Sequence, residues 1–322
     1  MATENWSLQH WRESQANNMN ISIAMCTYNG DRFLGEQLRT LREQTKPPFE
    51  VIICDDGSTD TTAQLVRDFA AGASFPVVFV SNPANLGSTR NFDQAINLCR
   101  GQAIALCDQD DLWAPNKLER LAQVLEKPGV GGVFSNAALI NDQSELLPES
   151  LWERRKYTPR RQEELRRTGV AQLLKYNPAT GATFAFRSSF VPQISPIPKE
   201  WVHDAWIALL IAAQSRLVLL PEKLISYRIH SAQQVGVKRL RPSDDLLVTQ
   251  WSALQERLAA LPVDPEIRRV VRKKLQFFKT RQALRQQNLF GRAWAASGVL
   301  PGYFHFARGL FSYALDVAGV RS

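Results

Sequence analysis

No stretch of about 18 uninterrupted apolar residues occurs in this 322-residue chain, so the sequence offers no membrane-spanning helix. Cysteine is scarce. Cys26, Cys54, Cys99 and Cys107 are the four, and none forms a Cys-x-x-Cys pair. Three of them stand in or beside apolar runs, which excludes a disulfide scaffold and reads as reduced, buried thiols in a cytoplasmic protein. Residues 1–18, MATENWSLQHWRESQANN, have no apolar core ahead of a cleavage site, so no signal peptide is expected. No Gly-x-Gly-x-x-Gly follows a strand-like run, which removes the dinucleotide dehydrogenases. Internal repeats and low-complexity tracts are also missing. With 44% hydrophobic and 22% charged residues, what remains is an ordinary globular chain. Its length suits roughly two domains, or one with an appendage.

Acidic residues are scarce at one end only. From Arg268 to Ser322 there are eleven Lys/Arg and one acid, Asp316, a net of +10. The whole chain carries +8, so the first 267 residues carry −2. The basic character therefore belongs to the tail. Interleaved with Phe277, Phe278, Leu284, Leu289 and Phe290, it suits an anionic membrane surface or the solvated face of a C-terminal helical subdomain. No nucleic-acid motif accompanies the charge, and no nucleic-acid partner is expected.

Along the chain, apolar β-branched runs alternate with helical spacing. Strands are expected at 21–26, 47–54, 76–80, 103–107 and 130–135. Helices are expected at 31–44 with Asp31 as N-cap, after Ser58 or Asp60, at 91–98, and at 113–125. The alternation predicts an α/β layer fold with a mostly parallel sheet. Further on, residues 136–200 are loop-rich, with a basic stretch from Arg154 to Arg167. NPATGATFAF (177–186) reads as a loop entering a strand, and 203–215 as an apolar helix. Residues 217–230 read as two strands turned at Pro221, and helices follow from Asp244.

Three polar clusters follow three strands: Thr27-Tyr28-Asn29-Gly30, Asp55-Asp56-Gly57-Ser58 and Asp108-Gln109-Asp110-Asp111. In such sheets ligands bind beyond the carboxyl ends of the strands, so the clusters would converge on one cleft. Carboxylates this close raise one another's pKa unless a cation intervenes, and hard oxygen ligands suit Mg²⁺ or Mn²⁺. The plainer alternative, that DDGST only makes turns and caps, accounts for one cluster better than for both.

TYNG (27–30), CDDGSTD (54–60), NLGSTRNF (85–92) and CDQDDLW (107–113) together resemble the ordered signature series of family-2 glycosyltransferases. The likeness is strong over about 20–125, moderate over 176–236 and absent beyond. It implies a GT-A fold, a Rossmann-like nucleotide-binding sheet flanked by helices, here with a C-terminal helical extension. The division it implies is a lead-in over 1–20, a catalytic domain over 21–240 and a basic helical region over 241–322. Within the catalytic domain, 21–135 would bind the nucleotide sugar and 136–240 the acceptor.

The same resemblance assigns residues. Thr27, Tyr28 and Asn29 would border the donor nucleotide, with Tyr28 against the base. Asp56 would accept the imide N–H of uracil or thymine, Asp55 would shape the pocket, and Arg90 would reach the diphosphate or base. Asp108 would contact ribose or sugar, Asp110 would ligate the metal, and Asp111 would hold the loop. Asp204, in His203-Asp204-Ala205-Trp206, would be the general base that inverting transfer needs, with His203, Trp206, Gly181 and Thr183 on the acceptor side. Tyr227-Arg228-Ile229-His230 resembles the family's Tyr-Arg-x-His segment and brings His230 toward the metal. Gln233 and Gln234 depart from the usual pattern there. The Gln-x-x-Arg-Trp motif of processive members is missing, so one-sugar transfer is implied. The CDQDDLW form is similar to a bacterial subgroup rich in rhamnosyltransferases of surface polysaccharide assembly. It implies a dTDP- or UDP-sugar donor, rhamnose foremost, and a glycan or lipid-linked acceptor at the cytoplasmic face of the inner membrane. Two other readings stay open. One is a sugar-nucleotide pyrophosphorylase, against which TYNGDRF supplies no phosphate loop. The other is a membrane-associated scaffold that retains the transferase fold.

Overall fold

The computed structural model describes residues 19–230 and 242–285. Three runs, β1 (Ile21–Thr27), β2 (Glu50–Asp55) and β4 (Ala103–Cys107), are buried at almost every position. Continuous burial is what strands covered on both faces require. β3 (Val77–Ser81) is half-exposed because it is the edge strand. On one face of the sheet, Leu34, Leu38 and Leu41 of α1 (Asp31–Arg42) join Val66 and Phe69 of α2 (Thr62–Ala71) and Leu118, Leu121 and Leu125 of α4 (Lys117–Leu125) in a single core. α3 (Ser88–Leu98) buries Phe92, Ala95 and Ile96.

The sheet has nine strands in the order β3-β2-β1-β4-β8-β6-β9-β5, with β7 beside β6. The other strands are β5 (Leu112–Trp113), β6 (Val130–Ile140), β7 (Leu146–Ser150), β8 (Phe184–Arg187) and β9 (Arg216–Arg228). β1 to β4 are parallel. β8 then runs antiparallel to both its neighbours, β4 and β6, while β6 and β9 pair parallel and run in the direction of β1 to β4, so the mostly parallel sheet is interrupted by β8 and carries antiparallel β5 and β7 beside β9 and β6. The register explains the reversal. Ala105 pairs with Ala185 and Ile104 with Phe186, so the chain enters β8 at the carboxyl end of β4 and must run back. Its entry is a single 3-10 turn, Gly181–Thr183, which therefore stands where the strand-end clusters are.

Several expected boundaries move for local reasons. Gly30, not Asp31, takes the N-cap position of α1, and Asp31 lies in the first turn. Trp113 belongs to β5 rather than to a helix. Pro115 disfavours helix at the residue before it, and α4 starts at Lys117. β9 runs unbroken for 13 residues through Pro221. The ladder to β6 slips there, between Leu220 and Lys223, and a bulge tolerates a residue that cannot donate.

The remaining helices are α5 (Leu151–Arg154), α6 (Pro159–Thr168), α7 (Val170–Leu173), α8 (Val191–Ile194), α9 (His203–Ala212), α10 (Asp244–Ala259) and α11 (Pro265–Arg285). α9 is apolar nearly all round and almost wholly buried, as such a helix must be. The chain divides into two compact units, Met1–Leu173 with Asn177–Gln234, and Leu174–Tyr176 with Val235–Ser322. Among the described residues the first holds the sheet and the second holds α10 and α11. In the second unit Trp251 packs against Phe278 with ring centroids 5.9 Å apart, and Arg281 pairs with the Asp244 carboxylate. Phe277 and Phe278 are buried, so they do not interleave a basic lipid-facing surface as the sequence pattern predicts. Leu289, Phe290, Gln233 and Gln234 lie outside the described residues, and no side-chain placement is described for Leu284. No helix among the described residues is long and apolar enough to cross a membrane.

Candidate functional site

The carboxyl ends of β1 and β2 are tied together by side chains. Thr27 Oγ1 donates to Asp55 Oδ1 at 2.8 Å, and the Ser58 N–H donates to Asp55 Oδ2 at 2.9 Å. Asp55 is thus an internal strut. The two oxygens of buried Asp56 accept the Leu86 N–H at 2.7 Å, the Gly87 N–H at 2.9 Å and Asn82 Nδ2 at 3.3 Å, so this carboxylate sets the Asn85–Gly87 turn. Asn29, at φ +44°, donates its N–H to Ser58 Oγ and accepts the Thr59 N–H on Oδ1. Tyr28 is 38% exposed and so is not a core aromatic. Arg90, in the first turn of α3, is exposed.

Sequence reasoning passed over Gln109. Its amide clamps the Tyr28 backbone from both sides, accepting the Tyr28 N–H at 2.8 Å and donating to the Tyr28 carbonyl at 3.1 Å. A Cβ at residue 30 would overlap this amide, so Gly30 was the available signal. The first motif and the acid loop are therefore one assembly.

Within the acid loop, Asp110 Oδ2 lies 2.9 Å from His230 Nε2, and the His230 ring rests against Phe33 with centroids 5.0 Å apart. Asp111 Oδ1 accepts the Arg228 N–H at 2.9 Å, while Asp111 Oδ2 is buried with no partner. Buried Arg228 donates to the Asp110 carbonyl at 2.7 Å, to Ser144 Oγ at 2.9 Å and to Glu36 Oε2 at 2.8 Å. It anchors the loop's backbone, a part that only the Tyr-Arg-x-His pattern hinted at. Burial, then the neighbouring Asp110 and Asp204, push Asp108 up to about 7. Burial, Asp110 and Asp108 likewise hold Asp111 well above the usual carboxylate range. Asp204 of α9 thus stands within electrostatic reach of the acid loop.

Asp204 also fixes the Gly181–Thr183 turn, accepting the Gly181 N–H on Oδ2 at 2.9 Å. Thr183 is buried and its hydroxyl donates to the Thr180 carbonyl at 2.8 Å, so it shapes the turn. His203 is stacked on Phe92 with centroids 3.9 Å apart, and neither of its ring nitrogens has a hydrogen-bond partner. Burial pushes its imidazole pKa down, against the pull of Asp204. A Cβ on Gly181 would lie 2.8 Å from His203 Nε2. Trp206 corrects the expectation for it: the side chain is fully buried and its indole N–H donates to the Ile194 carbonyl at 2.9 Å. It is core, with its ring against that of Trp201 at a centroid distance of 5.6 Å.

Among the described residues, no three acidic, histidine or cysteine side chains stand together as a ready metal cage. The donor set still fits a cation shared with a substrate. Asp110 and His230 present adjacent oxygen and nitrogen atoms, and Asp108 carries an excess of neighbouring negative charge. A cation of this kind is commonly held by one or two carboxylates plus substrate phosphates.

The description Glycosyl transferase family 2 matches residues 22–186. An uncharacterized glycosyltransferase of Nostoc sp. is 28% identical over 217 residues, 66% of each chain. The glucosyltransferase WfgD of Escherichia coli is 28% identical over 124 residues, 38% of this chain and 48% of its own. Its name gives a UDP-Glc donor and an α-D-GlcNAc-diphosphoundecaprenol acceptor. The chain spans just under two thirds of the Nostoc relative and 59% of an uncharacterized Mycobacterium tuberculosis relative. Among solved structures, Staphylococcus aureus TarS 1–349 with UDP-GlcNAc has a TM-score of 0.59 at 15% identity, covering 94% of this chain and 84% of its own. A Pyrobaculum calidifontis mannosyltransferase with GDP-Man and Mn²⁺ has a TM-score of 0.52 at 17% identity, covering 94% and 79%. At such identities the likeness fixes the fold alone, the GT-A arrangement.

Proposed function

The chain belongs to glycosyl transferase family 2, and on that premise we propose that it transfers one sugar, with inversion, from a dTDP- or UDP-sugar to a glycan or lipid-linked acceptor. Rhamnose is the first sugar to test. The observation that carries the reading is Asp204, which holds the Gly181 N–H and, after burial and Asp110, adds to the negative surroundings that raise Asp108. One carboxylate thereby borders both the acceptor-side turn and the acid loop.

In this reading Tyr28, Asn29, Asp56 and Arg90 border the nucleotide, Thr27 and Asp55 shape the pocket from behind, and Asp108 takes a ribose or sugar hydroxyl. Asp110, with His230 beside it, would hold Mg²⁺ or Mn²⁺, which when bound offsets the charge of the diphosphate leaving group. The acceptor hydroxyl oxygen bonds to the anomeric carbon from the face opposite the diphosphate. Its proton passes to an Asp204 oxygen, and the anomeric carbon–oxygen bond to the diphosphate breaks with its electron pair on the departing nucleotide. The lipid-linked acceptor of the E. coli relative favours an acceptor of that class here.

The test is a thermal-shift panel of nucleotide sugars with and without Mn²⁺, since a ligand stabilises only by preferring the folded state. One dTDP- or UDP-sugar should stabilise with Mn²⁺ and be consumed with an acceptor. Asp204→Asn should keep the shift and lose transfer by roughly 10²- to 10⁴-fold. No shift by any sugar nucleotide with metal present, or full transfer by Asp204→Asn, would refute the reading.

The membrane assignment rests on one face of α11. Arg269, Arg272, Lys273, Gln276 and Lys279 are exposed at helical spacing, while its phenylalanines are buried. Attraction to anionic lipid would therefore be electrostatic and screened by salt. Charge reversal of Arg272, Lys273 and Lys279 together should release the protein from phosphatidylglycerol vesicles. Unchanged binding would sink the assignment.

A further inference from the structure

A lysine in the first turn of an exposed-looking helix ordinarily keeps its amine in water. Lys117 does not. Its side chain is fully buried, its Nζ lies 3.7 Å from the centroid of the Trp113 ring, and it donates to the Ala182 carbonyl at 2.6 Å. Ala182 is the middle residue of the Gly181–Thr183 turn, and the N–H of the residue before it is the one held by Asp204. Burial pushes this amine down to about 7, opposed first by Cys107 and then by Asp111 and Asp108. Its geometric ties are the Ala182 carbonyl on one side and, on the other, the ring of Trp113, two residues past Asp111. The turn is pinned at two consecutive residues from two different helices, by Asp204 of α9 at its N–H and by Lys117 of α4 at its carbonyl.

We infer that Lys117 is a positioning residue for transfer, fixing the Gly181–Thr183 turn, and through Gly181 the Asp204 carboxylate, relative to the Asp108–Asp111 loop. The inference rests on the reading of Asp204 as the general base. Lys117 touches neither substrate; it acts through the Ala182 carbonyl. Its value to the reaction is registration: a base displaced by about 1 Å from the reacting hydroxyl costs on the order of 100-fold in rate. Buried networks of this kind are worth more than any one of their bonds.

The experiment uses the full chain with Lys117→Met, which removes the donor and the charge at similar length, and Lys117→Gln, which keeps an N–H donor without charge. Amide hydrogen exchange is followed at Gly181 and Thr183, and affinity for UDP and dTDP is measured with Mn²⁺. The Met variant should exchange these two amides at least tenfold faster, bind nucleotide within threefold of wild type, and lose transfer kcat at least thirtyfold with donor KM unchanged. The Gln variant should fall between Met and wild type. Unaltered exchange at Gly181 and Thr183 in a folded Met variant overturns the inference. So does a loss of nucleotide affinity as large as the loss of kcat, which would assign Lys117 to the donor loop alone. If the Met variant does not fold, the same readings on the Gln variant decide. If the wild type binds neither nucleotide with Mn²⁺, the transferase reading falls, while the exchange measurement still decides whether Lys117 holds the turn.

Discussion

Asp56→Ala tests how the donor side is built. The Asp56 carboxylate accepts two backbone N–H groups at 2.7 and 2.9 Å and one side-chain amide at 3.3 Å. A hydrogen bond to a charged acceptor contributes about 1.5–3 kcal/mol. The third bond is long, and Asn82 Nδ2 has a second acceptor in Asn91 Oδ1 at 3.0 Å, so it adds little. Leu86 is exposed, and water can replace part of what its N–H loses. The net cost expected is about 2–4 kcal/mol. A unit of this size shifts its melting temperature by about 2–4 °C per kcal/mol, so the variant should melt roughly 4–16 °C lower. The assay is a circular-dichroism melt of the full chain beside calorimetric titration with UDP and Mn²⁺. Affinity should fall at least tenfold, because the Asn85–Gly87 turn no longer has its anchor. Asp56→Asn keeps one oxygen for Leu86 but sets an NH₂ against the Gly87 N–H, and should recover only part of both losses. If Asp56→Ala melts with the wild type and its Leu86 and Gly87 amides exchange no faster, the turn is held by something else and the reasoning fails.

Gly181→Ala places a methyl 2.8 Å from His203 Nε2, and His203 cannot retreat from a ring stacked at 3.9 Å. Overpacking of this kind costs about 1–3 kcal/mol, so transfer should drop at least tenfold with Mn²⁺–UDP affinity intact, as read by donor consumption and titration. In the second unit, burial pushes the Lys274 amine down to about 7, partly opposed by the Trp251 ring 4.1 Å from Nζ. A lysine whose folded pKa lies below its unfolded value near 10.4 contributes stability that is present above that value and is lost as pH falls through 7. Each pKa unit is worth about 1.4 kcal/mol. After the ring's opposing pull of about 0.5–2 kcal/mol, wild type should therefore gain about 2–3 kcal/mol on Lys274→Met between pH 7 and pH 10 in denaturant titrations. Parallel curves for the two proteins would refute it.

The strands that came out of the sequence cleanly are those buried on both faces. Ile21–Cys26 is apolar but for Ser22, and Ala103–Cys107 is an unbroken apolar run; a run of that kind has one reading once helices flank it. The site clusters were legible for the same reason, since each polar group begins where such a run stops. Long-range pairing was not. Nothing in FAFR (184–187) states that it reverses direction between β4 and β6; that follows from where the Gly181–Thr183 turn delivers the chain. Lys117 was invisible because a single lysine at a helix start carries no sign of burial, and Gln109 showed only through the glycine at position 30. Trp206, placed on the acceptor side by resemblance alone, and Phe278, one of the aromatics interleaved with the basic tail, are both buried.

The reversal of β8 also orders the birth of the molecule. β4 ends at Cys107, and its open side is closed only by residues 184–187. At a synthesis rate of about 5–20 residues per second, the nascent sheet presents an unpaired, wholly apolar strand for roughly 4–16 s. Exposed strand edges recruit other chains, so a fragment ending near residue 135 would keep that edge permanently and should aggregate, however well its four parallel strands form. Residues 21–135 are thus not a module that can be cut free. The strand that seals them is delivered by the Gly181–Thr183 turn, whose backbone Asp204 and Lys117 hold.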